Sequence, residues 1–267
     1  MKDFKHLKKY GQNFLSDKNL LKAIASDGMV SEGDTVLEVG PGAGALTEAL
    51  LDSGANLTSV EIDDRLIPHL TETFGLNPRF RLVHGDIMKL KSDEIKALVG
   101  EDFRVVANIP YYITTPLIMR FLEESPQAKS ITVMVQKEVA ERLTAKAGDS
   151  DYGVISVAVA LYGKARITRY VDRRMFFPPP EVDSAVVTIE IDERKDCDIK
   201  QVMKLVKASF AMRRKTLRNN LSAIGVNGAK FDEVITKLQK SPTVRGETLT
   251  PDEFVSLYNL LKNQMHT

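Results

Sequence analysis

Residues 35–54 read TVLEVGPGAGALTEALLDSG. TVLEV has the β-branched, apolar character of a buried strand, and ALTEALLDSG carries apolar residues at helical spacing. The turn between them, Gly40-Pro41-Gly42-Ala43-Gly44-Ala45, is rich in glycine, which tolerates positive φ and lets backbone approach a ligand closely. Strand, glycine loop and helix in that order open an α/β sheet whose ligands sit at the carboxyl ends of the strands.

Working outward, strand candidates recur at near-constant intervals: LTSVE (57–61), FRLVH (80–84), FRVVA (103–107) and SITVMV (130–135). Segments with helical periodicity, such as RLIPHLTETFG, separate them, which indicates βαβ units and a parallel sheet with covered faces. QKEVAERLTAK, from residue 136, reads as a helix. YGVISVAVALYG fits a strand by its β-branched content and a buried helix by its length, and we read it as helix. KARITRYV (164–171) and DSAVVTIEI (183–191) read as two further strands, separated by the rigid loop FFPPPEV. DERKDCD (192–198) is a charged connector, and only helical signals follow it. Among them is a helix start at Thr250-Pro251-Asp252-Glu253, where a threonine cap, a proline and a glutamate suit the first turn. The expected organisation is one α/β domain over residues 1–192, with a basic N-terminal arm, and a small all-helical domain over 193–267.

With 267 residues, 43% hydrophobic and 27% charged, the composition is that of an ordinary globular protein. No apolar run approaches the ~20 residues needed to span a bilayer, and the N-terminus lacks the apolar core of a secretory signal. A single cysteine, Cys197, excludes an internal disulfide, and four scattered histidines offer no metal-ligand spacing. A cytoplasmic protein without a metal or a membrane segment is expected. The net charge of +1 hides two basic stretches. Lys2, Lys5, Lys8 and Lys9 fall near the N-terminus, and MKLVKASFAMRRKTLR (203–218) holds six cations and no acid. A phosphate backbone feels such patches within a Debye length of ~8 Å. A solvated helix face is the alternative, and spacing alone does not separate the two.

Three acids punctuate the strand ends. Glu61 lies 21 residues after Gly40, where an acidic side chain takes ribose hydroxyls in dinucleotide sites. The glycine loop by itself fits a nicotinamide dinucleotide, S-adenosylmethionine, or a tight turn with no ligand. Glu38, just before the loop, would repel a pyrophosphate and attract an amino group. Asp86, in HGDI, offers a carboxylate to an exocyclic adenine amine. Each acid has a plainer use: Asp86 as a helix cap, Glu38 as the partner of a lysine. A fourth strand end is the least usual, since NIPYYITTP (108–116) follows FRVVA with a bare amide, a proline and two tyrosines. Those residues suit a flat, polar ligand better than a continuing core.

YGQNFL (10–15), VLEVGPGAGALT (36–47), VEID (60–63), GDI (85–87), NIPY (108–111), QKEVAERL (136–143), FFPPPEVDSAV (176–186) and FAMRRKTLRNNL (210–221) appear in this order. Together they resemble the ribosomal RNA adenine N6-dimethyltransferase family, and within it the bacterial small-subunit type, from about residue 8 to residue 221. The resemblance implies a seven-stranded, Rossmann-like class I methyltransferase sheet with a small all-helical C-terminal domain. It implies S-adenosylmethionine as cofactor and small-subunit (16S) rRNA in the pre-small ribosomal subunit as partner. The reaction implied is dimethylation of two adjacent adenosines in a hairpin near the 3′ end, with a role in small-subunit biogenesis by a monomeric enzyme.

Carried over by motif, the cofactor would be held by Gln12, Asn13 and Leu15, by Glu38 and the loop residues Gly40, Gly42 and Gly44, and by Glu61, Ile62, Asp86, Ile87 and Asn108. Glu61 would take the ribose and Asp86 the adenine amine. Lys8, Lys9, Arg213, Arg214, Lys215 and Arg218 are the expected RNA contacts. Tyr112 stands where many relatives have asparagine, and Thr114 where many have serine.

The N6 amine of adenine is a poor nucleophile because its lone pair is delocalised into the ring. Two acceptors that hold its N–H groups, the Asn108 side-chain oxygen and the Ile109 carbonyl, would favour a pyramidal nitrogen. Pro110 would stiffen the turn that aims them, so most of the acceleration comes from positioning. A base must leave its stack to enter such a pocket. Tyr111 and Phe176 are the expected stacking rings for its two faces, with core filling as their plainer use. Tyr112 has no assigned role: its ring either shapes the pocket rim or packs behind the pocket.

Three rivals stand beside this reading. A methyltransferase conferring antibiotic resistance through a large-subunit rRNA adenine shares NIPY and the glycine loop. A NAD-dependent oxidoreductase is disfavoured by Glu38 and by the lack of a hydride-transfer acid. A ribosome-assembly or RNA-binding factor would keep the fold without needing Asn108, Tyr111 and Glu61.

Overall fold

The structure, a computed structural model, describes residues 14–15, 17–124 and 128–262. Its first elements are β1 (Phe14–Leu15), α1 (Lys18–Asp27), β2 (Thr35–Val39), α2 (Ala45–Asp52), β3 (Asn56–Glu61), α3 (Ile67–Phe74), β4 (Phe80–His84), α4 (Ser92–Val99) and β5 (Phe103–Asn108). Then come α5 (Thr114–Glu123), β6 (Ala128–Gln136), α6 (Lys137–Thr144), α7 (Val154–Tyr162), β7 (Gly163–Val171), β8 (Phe176–Phe177) and β9 (Ser184–Ile191). Every strand expected from the sequence forms, and YGVISVAVALYG is the helix α7. Apolar all round, α7 buries Val157, Ala158, Val159, Leu161 and Tyr162, the condition such a helix requires.

Seven strands form one sheet in the order β4-β3-β2-β5-β6-β9-β7. Strands β2 to β6 run parallel, and β2, β3, β5 and β6 are buried along most of their length while the edge strand β4 is not. The order reverses between β2 and β5, so the carboxyl ends of β3, β2 and β5 converge at a topological switch point. The strands read as parallel from the sequence are parallel, while β9, whose direction the sequence left open, pairs antiparallel with β6, Ser130 opposite Glu190 and Gln136 opposite Ser184. The link from β7 to β9 holds no helix of the kind a parallel crossover needs. On one face Leu21 and Ile24 of α1 and Leu50 of α2 join Val36, Leu57 and Val106 in a buried cluster. A separate two-stranded sheet pairs Leu15 of β1 with Phe176 of β8.

Contacts divide the chain into two compact units. One holds the described residues through Ala140 together with Ala165–Ile191; the other holds Glu141–Lys164 and the described residues from Asp192 onward. The second contains α7, α8 (Ile199–Ser209), α9 (Leu217–Ser222), α10 (Gly228–Lys237) and α11 (Pro251–Leu261). Its core stacks Tyr152, Phe210 and Phe254 with centroids 6.0 and 6.1 Å apart, and the Tyr152 hydroxyl donates to the Leu249 carbonyl at 2.8 Å. α11 begins with the expected capping box: Thr250 Oγ1 accepts from Glu253 N at 3.2 Å, and Glu253 Oε2 accepts from Thr250 N at 2.9 Å. Among the described residues no helix is long and apolar enough to cross a membrane.

Candidate active site

The carboxyl ends of β2, β3, β4 and β5 open into one cavity of about 210 Å³. Each strand delivers a polar side chain to it: Glu38, Glu61, Asp86 just past β4, and Asn108. The glycine loop forms another wall. Gly40 and Gly42 have φ of +67° and +59°, and a Cβ at Gly40 would project into open space. Gly44 stands apart from the cavity lining. It opens α2 at φ +85°, and a Cβ there would lie 2.4 Å from the Phe74 ring. Its glycine serves close packing rather than the ligand wall.

Glu38 is the site's electrostatic centre. It is 1% exposed, and its Oε2 accepts from Thr47 Oγ1 at 2.7 Å and Ser59 Oγ at 2.6 Å. No lysine takes part in either bond. Its Oε1 is buried without a hydrogen-bond partner. Burial pushes the carboxyl up to about 7, the two hydroxyls oppose the rise, and the Glu61 charge adds to it. A buried oxygen left unsatisfied beside a cavity calls for a donor, and a cationic donor would stabilise the charged form most.

Glu61 is also buried, which raises its carboxyl, while backbone N–H groups of Asp63, Gly42 and Ile62 oppose the rise. Oε2 accepts from Gly42 N at 3.1 Å and Oε1 from Asp63 N at 2.8 Å, so this side chain braces the glycine loop. Asp86 Oδ1 caps its own turn, accepting from Met88 N at 3.0 Å, while Oδ2 lies 3.8 Å from Lys89 Nζ. Asp86 thus caps a turn and not the following helix, whose N-cap is Lys91, and one carboxylate oxygen remains for a ligand. Arg120, buried on α5, donates to the carbonyls of Ile87 and Leu90. It ties the loop carrying Asp86 to the helix that follows the Asn108 turn.

Asn108, Ile109, Pro110 and Tyr111 all line the cavity, with Leu15, Ile62, Ile87 and Phe176. Tyr111 and Tyr112 begin a single 3-10 turn over 111–113. The Tyr111 hydroxyl sits 2.7 Å from Ser184 Oγ at the start of β9, and burial raises its phenol. Of the two places open to Tyr112, the structure has the rim: the ring is 62% exposed and lines the cavity. Met88 and Leu21 complete the wall without any signal in the motifs. Gln12, Asn13, Lys8 and Lys9 lie outside the described residues.

The basic segment is divided. Arg218 forms a paired contact with Asp232 at 2.9 and 3.2 Å, and Arg213 donates to the Ser150 carbonyl at 3.0 Å. Arg214 and Lys215 are exposed on the loop between α8 and α9, beside exposed Met212. Among the described residues no group of three or more His, Cys, Asp or Glu is placed to hold a metal.

Comparison with known proteins places this geometry in a family. Residues 3–263 match the family described as ribosomal RNA adenine dimethylase. A ribosomal RNA small subunit methyltransferase A from Alkaliphilus oremlandii is 40% identical over 270 residues, covering 98% of this chain and 94% of that protein. Its counterpart from Lysinibacillus sphaericus is 43% identical over 270 residues, covering 97% and 92%. Among solved structures, a dimethyladenosine transferase from Plasmodium falciparum aligns with a TM-score of 0.77 at 26% identity, covering 94% of this chain and 98% of that one. The 23S rRNA methyltransferase ErmE aligns at 0.73, also at 26% identity, covering 94% and 100%. On the strength of the full-length family match and the ~40% identical relatives, the chain belongs to the ribosomal RNA adenine dimethylase family.

Proposed function

We propose that this chain uses S-adenosylmethionine to dimethylate the N6 amines of two adjacent adenosines in small-subunit rRNA. One observation carries the reading: the orphaned Glu38 oxygen and the Asn108-Pro110 turn sit on the walls of a single cavity. The walls fit S-adenosylmethionine. Its ammonium matches Glu38 Oε1, which a pyrophosphate could not approach without repulsion. Glu61 keeps lone-pair capacity for a ribose hydroxyl, Asp86 Oδ2 accepts an adenine amine, and Gly40 lets backbone close on the ligand. When bound, the cofactor supplies a methyl already activated by a sulfonium, with a neutral thioether as leaving group.

The chain's part is positioning. The Asn108 side-chain oxygen and the Ile109 carbonyl accept from the two N–H groups of the target amine, which frees its lone pair from the ring. Methyl transfer leaves a cationic nitrogen, which releases one proton to solvent; a single N–H then remains, and one acceptor suffices to hold the amine for the second. Pro110 has φ −57° and ψ 135°, and its carbonyl accepts from Ile113 N at 3.2 Å, so the turn that aims these groups is closed and stiff. Tyr111, its hydroxyl fixed by Ser184, offers a ring of set orientation to one face of the base. Phe176 serves the other face.

Support for the small subunit comes from the relatives that carry that name over nearly their whole length. The two aligned structures are equally identical in sequence and favour neither subunit. Residues 1–192, apart from Glu141–Lys164, which fall in the second unit, would act as the methyltransferase domain, and 193–267 would contribute RNA contacts through Arg214 and Lys215, in a cytoplasmic monomer. Titration calorimetry with S-adenosylmethionine and with NAD tests the cofactor. Transfer of labelled methyl to unmodified small-subunit rRNA, with large-subunit rRNA in parallel, tests the substrate. Binding of NAD alone, or transfer to large-subunit RNA alone, would overturn the reading.

A further inference from the structure

Two aromatic doublets stand at the cavity, and in each one ring faces in and the next faces out. Tyr111 is half-buried and bonded to Ser184, whereas Tyr112 is 62% exposed while still on the cavity wall. Phe176 is buried on the same wall, and Phe177 beside it is 71% exposed. The inward rings serve the base inside. The outward Tyr112 has no part in that reaction, and a ring that both lines a cavity and meets solvent stands at its mouth.

We propose that Tyr112 is a stacking platform for the nucleobase adjacent to the one in the cavity, an inference that rests on the RNA-methylating reading above. A nucleic acid strand is continuous, so a base drawn into the cavity necessarily leaves its neighbour at the mouth. That neighbour has lost a stacking face when the target leaves the helix. An aromatic side chain replaces such a face without regard to base identity. The mount is rigid: the 3-10 turn over 111–113 runs between the conformationally fixed Pro110 and the first turn of α5. With two adjacent adenosines as substrate, Tyr112 holds whichever one is waiting while the other reacts.

The test uses a small-subunit rRNA hairpin carrying both adenosines, and the same RNA with one of them replaced by an abasic site. In the wild type the abasic neighbour lowers kcat/KM for the remaining adenosine by about 5- to 150-fold, the range expected from loss of one aromatic stack. Tyr112→Ala lowers kcat/KM on the intact RNA by a similar factor, and the abasic site then adds little further loss. Tyr112→Phe retains the wild-type pattern. Unchanged affinity of Tyr112→Ala for S-adenosylmethionine shows that the cavity is intact. The protein has no tryptophan, so Tyr112→Trp adds a sole reporter. Its fluorescence is quenched by the intact hairpin and much less by the abasic one. Equal abasic penalties in wild type and Tyr112→Ala, or equal quenching by both RNAs, would overturn the proposal. Failure of the wild type to methylate the intact hairpin would instead sink the RNA-methylating reading, and is seen before any variant is compared.

Discussion

Replacing Glu38 by glutamine removes a buried charge whose cost the structure lets us size. The carboxyl is pushed from an ordinary 4.5 to about 7, chiefly by burial. An acid with a raised folded pKa keeps its proton longer in the native state than in the unfolded chain. Its contribution to stability is therefore full below pH 4.5, falls as pH rises toward 7, and stays low above it. At ~1.4 kcal/mol per pH unit the gap amounts to roughly 3 kcal/mol. Denaturant unfolding of ligand-free wild type and Glu38→Gln at pH 5 and pH 8 measures it. The wild type should lose roughly 2.5 kcal/mol more than the variant between those two pH values, since at pH 5 the unfolded carboxyl is already largely ionised. Ligand binding should show the complementary behaviour. If Glu38 must ionise to meet an ammonium, wild-type affinity for S-adenosylmethionine falls about fivefold from pH 7 to pH 6 and about tenfold more from pH 6 to pH 5. Glu38→Gln should bind weakly with a flat profile over that range. Parallel pH profiles for the two proteins, in both stability and affinity, would refute the reasoning.

Three other perturbations probe the rest of the site. Asn108→Ala should lower kcat by about 10²–10³-fold, as loss of one preorganised hydrogen-bonding group does, while cofactor affinity stays within a few fold; near wild-type turnover in a methyl-transfer assay would remove Asn108 from the mechanism. Reversing charge at Arg214 and Lys215 should weaken RNA binding and reduce the slope of log K against log salt by about 1.5–2. An unchanged slope would make the loop merely solvated, and Arg218, already paired with Asp232, should matter less than either. Gly44→Ala should cost about 1–3 kcal/mol of stability from positive φ and overpacking against Phe74, with cofactor affinity per folded molecule retained. A stable variant that fails to bind cofactor would return Gly44 to the ligand wall.

The strand pattern was legible because buried parallel strands are short, apolar and evenly spaced, and every one of them formed. The polar ends of β2, β3 and β5 were legible too, since charge or amide at the end of an apolar run is conspicuous. Cross-strand relations were not. Ser59 braces Glu38 because β2 and β3 align in register to put the two opposite each other, and no single-strand reading contains that register. Thr47 reaches the same carboxylate from α2, and Ser184 reaches Tyr111 across 73 residues of chain. The Gly44 loop position resembled a ligand contact because positive φ has the same sequence signature whether a ligand or Phe74 occupies the space. The place of Tyr112 was left open for a related reason: adjacent tyrosines in a 3-10 turn point in different directions, and composition does not say which faces solvent. The reversal of β9 was hidden because a strand's apolar run carries no sign of its direction.

The central claim is dimethylation of adjacent adenosines in small-subunit RNA. It is tested most directly by incubating the protein with S-adenosylmethionine and small ribosomal subunits that lack the modification, then mapping dimethyladenosine by mass spectrometry. The account predicts two neighbouring N6-dimethyladenosines near the 3′ end of the small-subunit rRNA and none in large-subunit RNA treated in parallel. Dimethyladenosine confined to the large-subunit RNA, or absent from both while S-adenosylmethionine binds, would contradict it.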